Sequence, residues 1–149
     1  MTRRNGLSLV ELTITMLVIG IFAAVGSLKY AEALSEHRAK ALADTVRETL
    51  LAAKHGAQTR STPVTVTFLK NMGTYTITGL PNPTHPSKPY VVDMTAVAPA
   101  AKASENYTVA FNGFGYPATN VVMELKTKSG KKRYVHVLTS GEIKVSLLP

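Results

Sequence analysis

The chain has 149 residues, with 17 Lys and Arg against 9 Asp and Glu, and neither Cys nor Trp. That length supports one globular domain, and the lack of Cys excludes disulfides, thiolate metal sites and cysteine nucleophiles. A formal charge of +8 with 45% hydrophobic residues excludes a disordered basic tail but admits nucleic acid, an anionic membrane or an acidic protein as partner.

The charge is unevenly distributed. Arg3 and Arg4 precede residues 7–28, LSLVELTITMLVIGIFAAVGSL, in which Glu11 is the one charge. As a helix this run reaches about 30 Å, the thickness of a bilayer's hydrocarbon core. The two arginines orient such a helix with its N-terminus cytoplasmic and the remainder of the chain outside. A cleaved secretory signal has a shorter apolar stretch, although Ala23-Ala24-Val25-Gly26 mimics its small-residue cleavage site. A plain membrane anchor explains the length but not a carboxylate near the start of the run, which costs about 2.5–3.5 kcal/mol at the bilayer centre and less towards its edge.

The residues Asn5-Gly6-Leu7-Ser8-Leu9-Val10-Glu11 supply a third reading. They resemble the processing signature of type IV prepilins and type II secretion pseudopilins. The resemblance implies that a prepilin peptidase cuts after Gly6, removing residues 1–6 as a leader, and that Leu7 becomes the N-methylated first residue. Phe is usual at that place. Glu11 then falls at the fifth mature position, where the family's Glu neutralises the positive N-terminus of a neighbouring subunit during assembly.

From Lys29 the chain becomes rich in Ala, Leu, Glu, Lys and Arg, all good helix formers. Tyr30, Leu34, Leu42, Val46, Leu50, Ala53 and Ala57 fall at helical spacing, with Arg38 interrupting the stripe. Glu36 with Lys40 and Asp44 with Arg47 are spaced for ion pairs along the helix. Gly56 is one stop signal and Pro63 a later limit, so a helix is expected from residue 8 to about 58, with 29–60 its amphipathic half. Gly26-Ser27 is the weak point within it.

Beyond Pro63 the period changes from 3.6 to 2. Val64–Phe68 and Tyr75–Thr78 predict a hairpin; Tyr90–Met94, Tyr107–Phe111, Val121–Thr127, Arg133–Leu138 and Glu142–Leu147 predict further strands. Residues 79–89 hold four prolines and read as a loop, residues 95–104 are ambiguous, and Ser129-Gly130 and Ser140-Gly141 supply tight turns. The expected architecture is α+β, with an antiparallel β head over residues 62–149 packed on the second half of one long helix.

Residues 50–57, the 63–66 strand start, Phe111-Asn112-Gly113-Phe114-Gly115 and the closing 140–144 stretch resemble the GspH/FimT group of minor pseudopilins and minor pilins. That resemblance implies a two-sheet head, contacts with other pilin subunits and the inner membrane, and a place at or near a filament tip. No small-molecule substrate, cofactor or enzymatic activity is expected: the four histidines are dispersed, no metal-ligand spacing occurs, and the acids form no catalytic pair.

Lys126, Lys128, Lys131, Lys132, Arg133 and Lys144 concentrate near the C-terminus. Lys126 and Lys128 are expected on one strand face and residues 131–133 in the following turn, a candidate surface for a phosphate backbone. The alternative is a solvated hairpin whose charges discourage edge pairing. DNA-binding FimT-type pilins carry Gly-Arg-x-Arg near the C-terminus; the matching Gly141-Glu142-Ile143-Lys144 keeps one cation and replaces the other by an acid.

Overall fold

On α1, which runs Leu9–Arg60, Ala39, Leu42, Ala43, Val46, Leu50, Ala53 and Ala57 repeat at intervals of three and four, and all are at most 1% exposed. The computed structural model describes residues 8–149. The chain divides into two compact units, one ending at Leu34 and the other spanning Ser35–Pro149. In the first, α1 exposes every large apolar side chain from Leu9 to Val25, between 42% at Val18 and 79% at Leu9. This part is long and apolar enough to cross a membrane. The helix runs through Gly26 and Ser27, where Ser27 Oγ donates to the Ala24 carbonyl at 2.8 Å. Tyr30, expected on the packing stripe, is 70% exposed.

In the second unit, eight strands follow the helix: β1 (Val64–Phe68), β2 (Thr74–Thr78), β3 (Tyr90–Asp93), β4 (Lys102–Ala103), β5 (Tyr107–Phe111), β6 (Val121–Lys126), β7 (Lys132–Val137) and β8 (Ile143–Ser146). They form two antiparallel sheets of order β3-β2-β1-β5 and β4-β6-β7-β8. Alternation places Val64, Val66 and Phe68 of β1, Tyr75 and Ile77 of β2, Met123 and Leu125 of β6, and Val135 and Val137 of β7 in one core with the α1 stripe from Leu42 to Ala57. The ambiguous stretch after β3 becomes a 3₁₀ turn, Met94–Ala96, capped by Asp93, whose carboxylate accepts from Thr95 N and Oγ1. Those two bonds hold the Asp93 carboxyl below its ordinary range.

The helix ends at a Schellman motif, not at Gly56. Thr62 N donates to Ala57 O at 3.2 Å, Ser61 N donates to Gln58 O at 3.3 Å, and Ser61 takes the left-handed conformation at φ +52°. Gly56 serves packing instead, because a Cβ there would meet Leu80 Cδ2 at 2.5 Å. Gly113 is more constrained, since its Cβ would meet the Ser61 carbonyl oxygen at 2.8 Å.

The two sites should respond oppositely in thermal or urea unfolding. Ser61→Gly removes left-handed strain from a serine and should stabilise by about 1 kcal/mol. Gly113→Ala forces backbone apart and should destabilise by roughly 1–3 kcal/mol. Equal effects of the two would contradict this assignment of the helix end.

Candidate functional site

Two regions hold the residues singled out in the sequence. Gly6 and Leu7 lie outside the described residues. Glu11 lies in the first turn of α1, and it closes a capping box that the sequence reading did not register. Ser8 Oγ accepts from Val10 N at 3.2 Å, while Glu11 Oε2 accepts from Ser8 N at 3.1 Å. The carboxylate therefore satisfies an orphan donor and sits at the positive end of the helix dipole. The hydroxyls of Thr13 and Thr15 bond back to the carbonyls of Val10 and Glu11 at 2.9 and 2.7 Å. Such internal bonding is what an apolar surrounding demands of polar groups. Among the described residues Glu11 is the one charged side chain of the segment before Lys29.

The basic hairpin is organised differently from the expectation. β6 ends at Lys126, so Lys128 lies in the turn instead of on a strand face; β7 starts at Lys132, one residue before the expected strand start at Arg133, so both leave the turn. Alternation on β7 then sends neighbouring cations to opposite faces.

Arg133 points inward at 8% exposure, with its guanidinium on the Glu36 carboxylate of α1 at 2.5 Å. Lys131 approaches the other Glu36 oxygen at 3.6 Å. The hydrogen bond from Arg133 is the main reason the Glu36 carboxyl is held below its ordinary range. The expected Glu36–Lys40 pair along the helix gives way to this clasp, because a buried guanidinium is a better partner than a solvated lysine. The expected Asp44–Arg47 pair gives way similarly: Arg47 Nε donates to the Ile143 carbonyl at 3.1 Å. Lys54 Nζ donates to the Gly141 carbonyl at 2.9 Å. Several charges on this half of α1 thus brace the head.

On the outer face, cross-strand register sets Lys102 opposite Lys126 and Lys126 opposite Lys132. Like charges in adjacent register repel. Glu124 offsets them, with Lys126 at 3.2 Å and Lys132 at 3.1 Å on one carboxylate oxygen. Ser104 Oγ also donates to that oxygen at 2.8 Å, and Tyr134 Oη to the other at 3.2 Å. Burial opposes the charge on Glu124, but the bonds from Ser104, Lys132, Lys126 and Tyr134 outweigh it and lower the carboxyl to about 2. Lys144 stands apart on β8, paired with Glu142 at 3.0 Å. Of the six cations singled out, the structure gathers Lys126 with Lys132 and Lys131 with Arg133, each pair on a carboxylate. The sequence pairs Glu36 with Lys40 and does not reveal its contact with Arg133, the bonds of Glu124 to Lys126 and Lys132, or the place of Lys102, since strand register and helix orientation alone bring these together.

No family model matches the chain, and no curated protein matches it in sequence. Similar solved structures exist. One crystal structure of the type IV minor pilin FimU of Pseudomonas aeruginosa PAO1 aligns with 74% of this chain and 90% of its own, at TM-score 0.56 and 16% identity. A second crystal form of the same protein aligns with 72% and 91%, at TM-score 0.52 and 16% identity. This is the type IV pilin-like fold. The identity is too low to carry individual side chains across, so the hairpin must be read from this chain alone.

Glu124 supplies a pH test. A carboxyl lowered from 4.5 to about 2 contributes stability that is complete above pH 4.5 and is lost as the pH falls towards 2, since the unfolded chain binds the proton first. The melting temperature of the wild-type chain should decline across that window, with Glu36 and Asp93 adding to the slope. Glu124→Gln should be less stable at pH 7 and decline more shallowly. Parallel pH profiles for the two proteins would refute the network.

Proposed function

We propose that the chain is a minor pilin-type subunit of a type IV pilus or a type II secretion pseudopilus. In this reading a prepilin peptidase cuts after Gly6, Leu7 becomes the methylated N-terminus, and the helix from residue 7 to 28 holds the protein in the inner membrane with its head in the periplasm. The subunit then enters a filament at or near its tip. The observation that carries the proposal is a single helix joining two chemistries. It is bare and apolar from Leu9 to Val25, and from Ala39 to Ala57 it is built into a pilin-like head. A surface so apolar requires lipid or other helices around it.

Glu11 acts in assembly by meeting the positive N-terminus of an adjacent subunit, because two opposite charges in a helical bundle are tolerable when paired. The capping box gives the same carboxylate a local role, and the two roles separate by substitution. Glu11→Gln keeps a capping acceptor but removes the charge, whereas Glu11→Ala removes both. Both variants should reach the membrane fraction, and both should be depleted from sheared filaments at least tenfold relative to wild type. Filament entry of Glu11→Gln at the wild-type level would leave Glu11 a cap only.

The role of the proposed subunit is structural, through the helix for assembly and the head for contacts with other subunits. A DNA-binding role for the hairpin draws less support from its geometry. Lys126, Lys131, Lys132, Arg133 and Lys144 each have a carboxylate partner within 4 Å, and a phosphate backbone would have to displace those partners.

A further inference from the structure

The turn over residues 112–117 closes against the C-terminal end of α1 and exposes two aromatic rings, Phe114 at 77% and Tyr116 at 51%. The backbone beneath them is fixed. Asn112 Oδ1 accepts from the amides of Phe114 and Tyr116, both at 3.0 Å. Asn112 N donates to Tyr116 O at 3.0 Å, and Gly115 N to Asn112 O at 2.8 Å. Gln58 Nε2 donates to Phe114 O at 3.0 Å, bolting the turn to the helix. Gly113 rests on the Ser61 backbone, and Gly115, at φ +80°, rests on the Gln58 side chain. Beside Tyr116 an apolar depression is lined by Pro63, Ala110, Phe111 and Ala118.

A flexible loop could turn such rings inwards; this one cannot without breaking its own bonds. Rings presented on a rigid mount lose little conformational freedom when they dock, which is the property of interface anchors. The charge around the turn is net positive. Arg60 is exposed at the helix end, Lys54 is held on the Gly141 carbonyl, and Glu142, next to the Gly141 that packs on Gly115, is paired with Lys144. Two cations are too few to track a polyphosphate, whose binding scales with the number of phosphates neutralised. They suit the carboxylate rim of a protein socket.

We propose that Phe114 and Tyr116 anchor this end of the head in an apolar, carboxylate-rimmed socket on the head of a neighbouring, different pilin-type subunit. The inference rests on the minor-subunit reading and adds a contact to it that is separate from the helix bundle. Substitution at Phe114 should leave the fold intact, because the side chain is outside and Asn112, Gly115 and Gln58 hold the turn.

The test uses the full chain, expressed in its own host with filaments assembling and a benzophenone amino acid in place of Phe114. Illumination should give one adduct, identified by mass spectrometry as this chain joined to another pilin-type subunit. Adding Tyr116→Ser or Arg60→Glu should lower its yield several-fold without changing the melting temperature. The same probe in place of Val91, exposed on β3, should give little of it. With the chain present in sheared filaments, no adduct, a nuclease-sensitive or lipid adduct, or equal yield from Val91 would overturn the docking surface. Absence of the wild-type chain from filaments would instead overturn the subunit reading, and the docking surface with it.

Discussion

The packing of one helix stripe is the constraint on which the head depends. Ala39, Leu42, Ala43, Val46, Leu50, Ala53 and Ala57 mix small and large side chains; all are buried, and all but Ala39 belong to the core shared with both sheets. Alanines at four of seven positions permit close approach, and the larger residues fill the space between strands. Polar ties then set the helix against each sheet. Tyr75 Oη donates to Thr49 Oγ1 at 2.8 Å on one side, where burial raises the Tyr75 hydroxyl to about 12 and keeps it a donor. Glu36, Arg47 and Lys54 reach the other sheet through Arg133, the Ile143 carbonyl and the Gly141 carbonyl. These ties lock rotation of the helix, which apolar packing alone constrains poorly.

The net charge of +8 takes a different meaning once these partners are known. Two of its arginines precede the apolar segment, and in the proposed function they are its orientation signal. Much of the remainder is internal bracing. Arg133 is buried against Glu36, and Glu124 draws Lys126 and Lys132 into a network that offsets the repulsion of three lysines in register. A chain-wide average cannot separate cations held by carboxylates from cations free to recruit a partner. Register and burial can.

Much of the fold was legible in the sequence because its signals are local. The change from apolar to amphipathic at Lys29, the change of period after Pro63, and the Ser-Gly turns each rest on residues close in the chain. Parts of the strand reading that shifted, such as the bounds of β6 and β7 and the nature of residues 95–104, depend on pairing partners far away. Gly56 illustrates the same limit: its spacing suggests a helix cap, while its role is contact with Leu80 from a distant loop. At the site, Glu11 could be placed from sequence, and its capping partner Ser8 was visible three residues earlier. Glu36 and Glu124 were not, since nothing local distinguishes a surface carboxylate from one that a strand register will set beside a cation.

The central claim is that this apolar helix is processed for filament entry and is not merely a signal or an anchor. The most direct measurement is the intact mass, with N-terminal fragmentation, of the chain isolated from membranes of its own host. A mature protein that begins at N-methylated Leu7 is the expected result. An unprocessed N-terminus, or cleavage after Ala24 or Gly26, would contradict it.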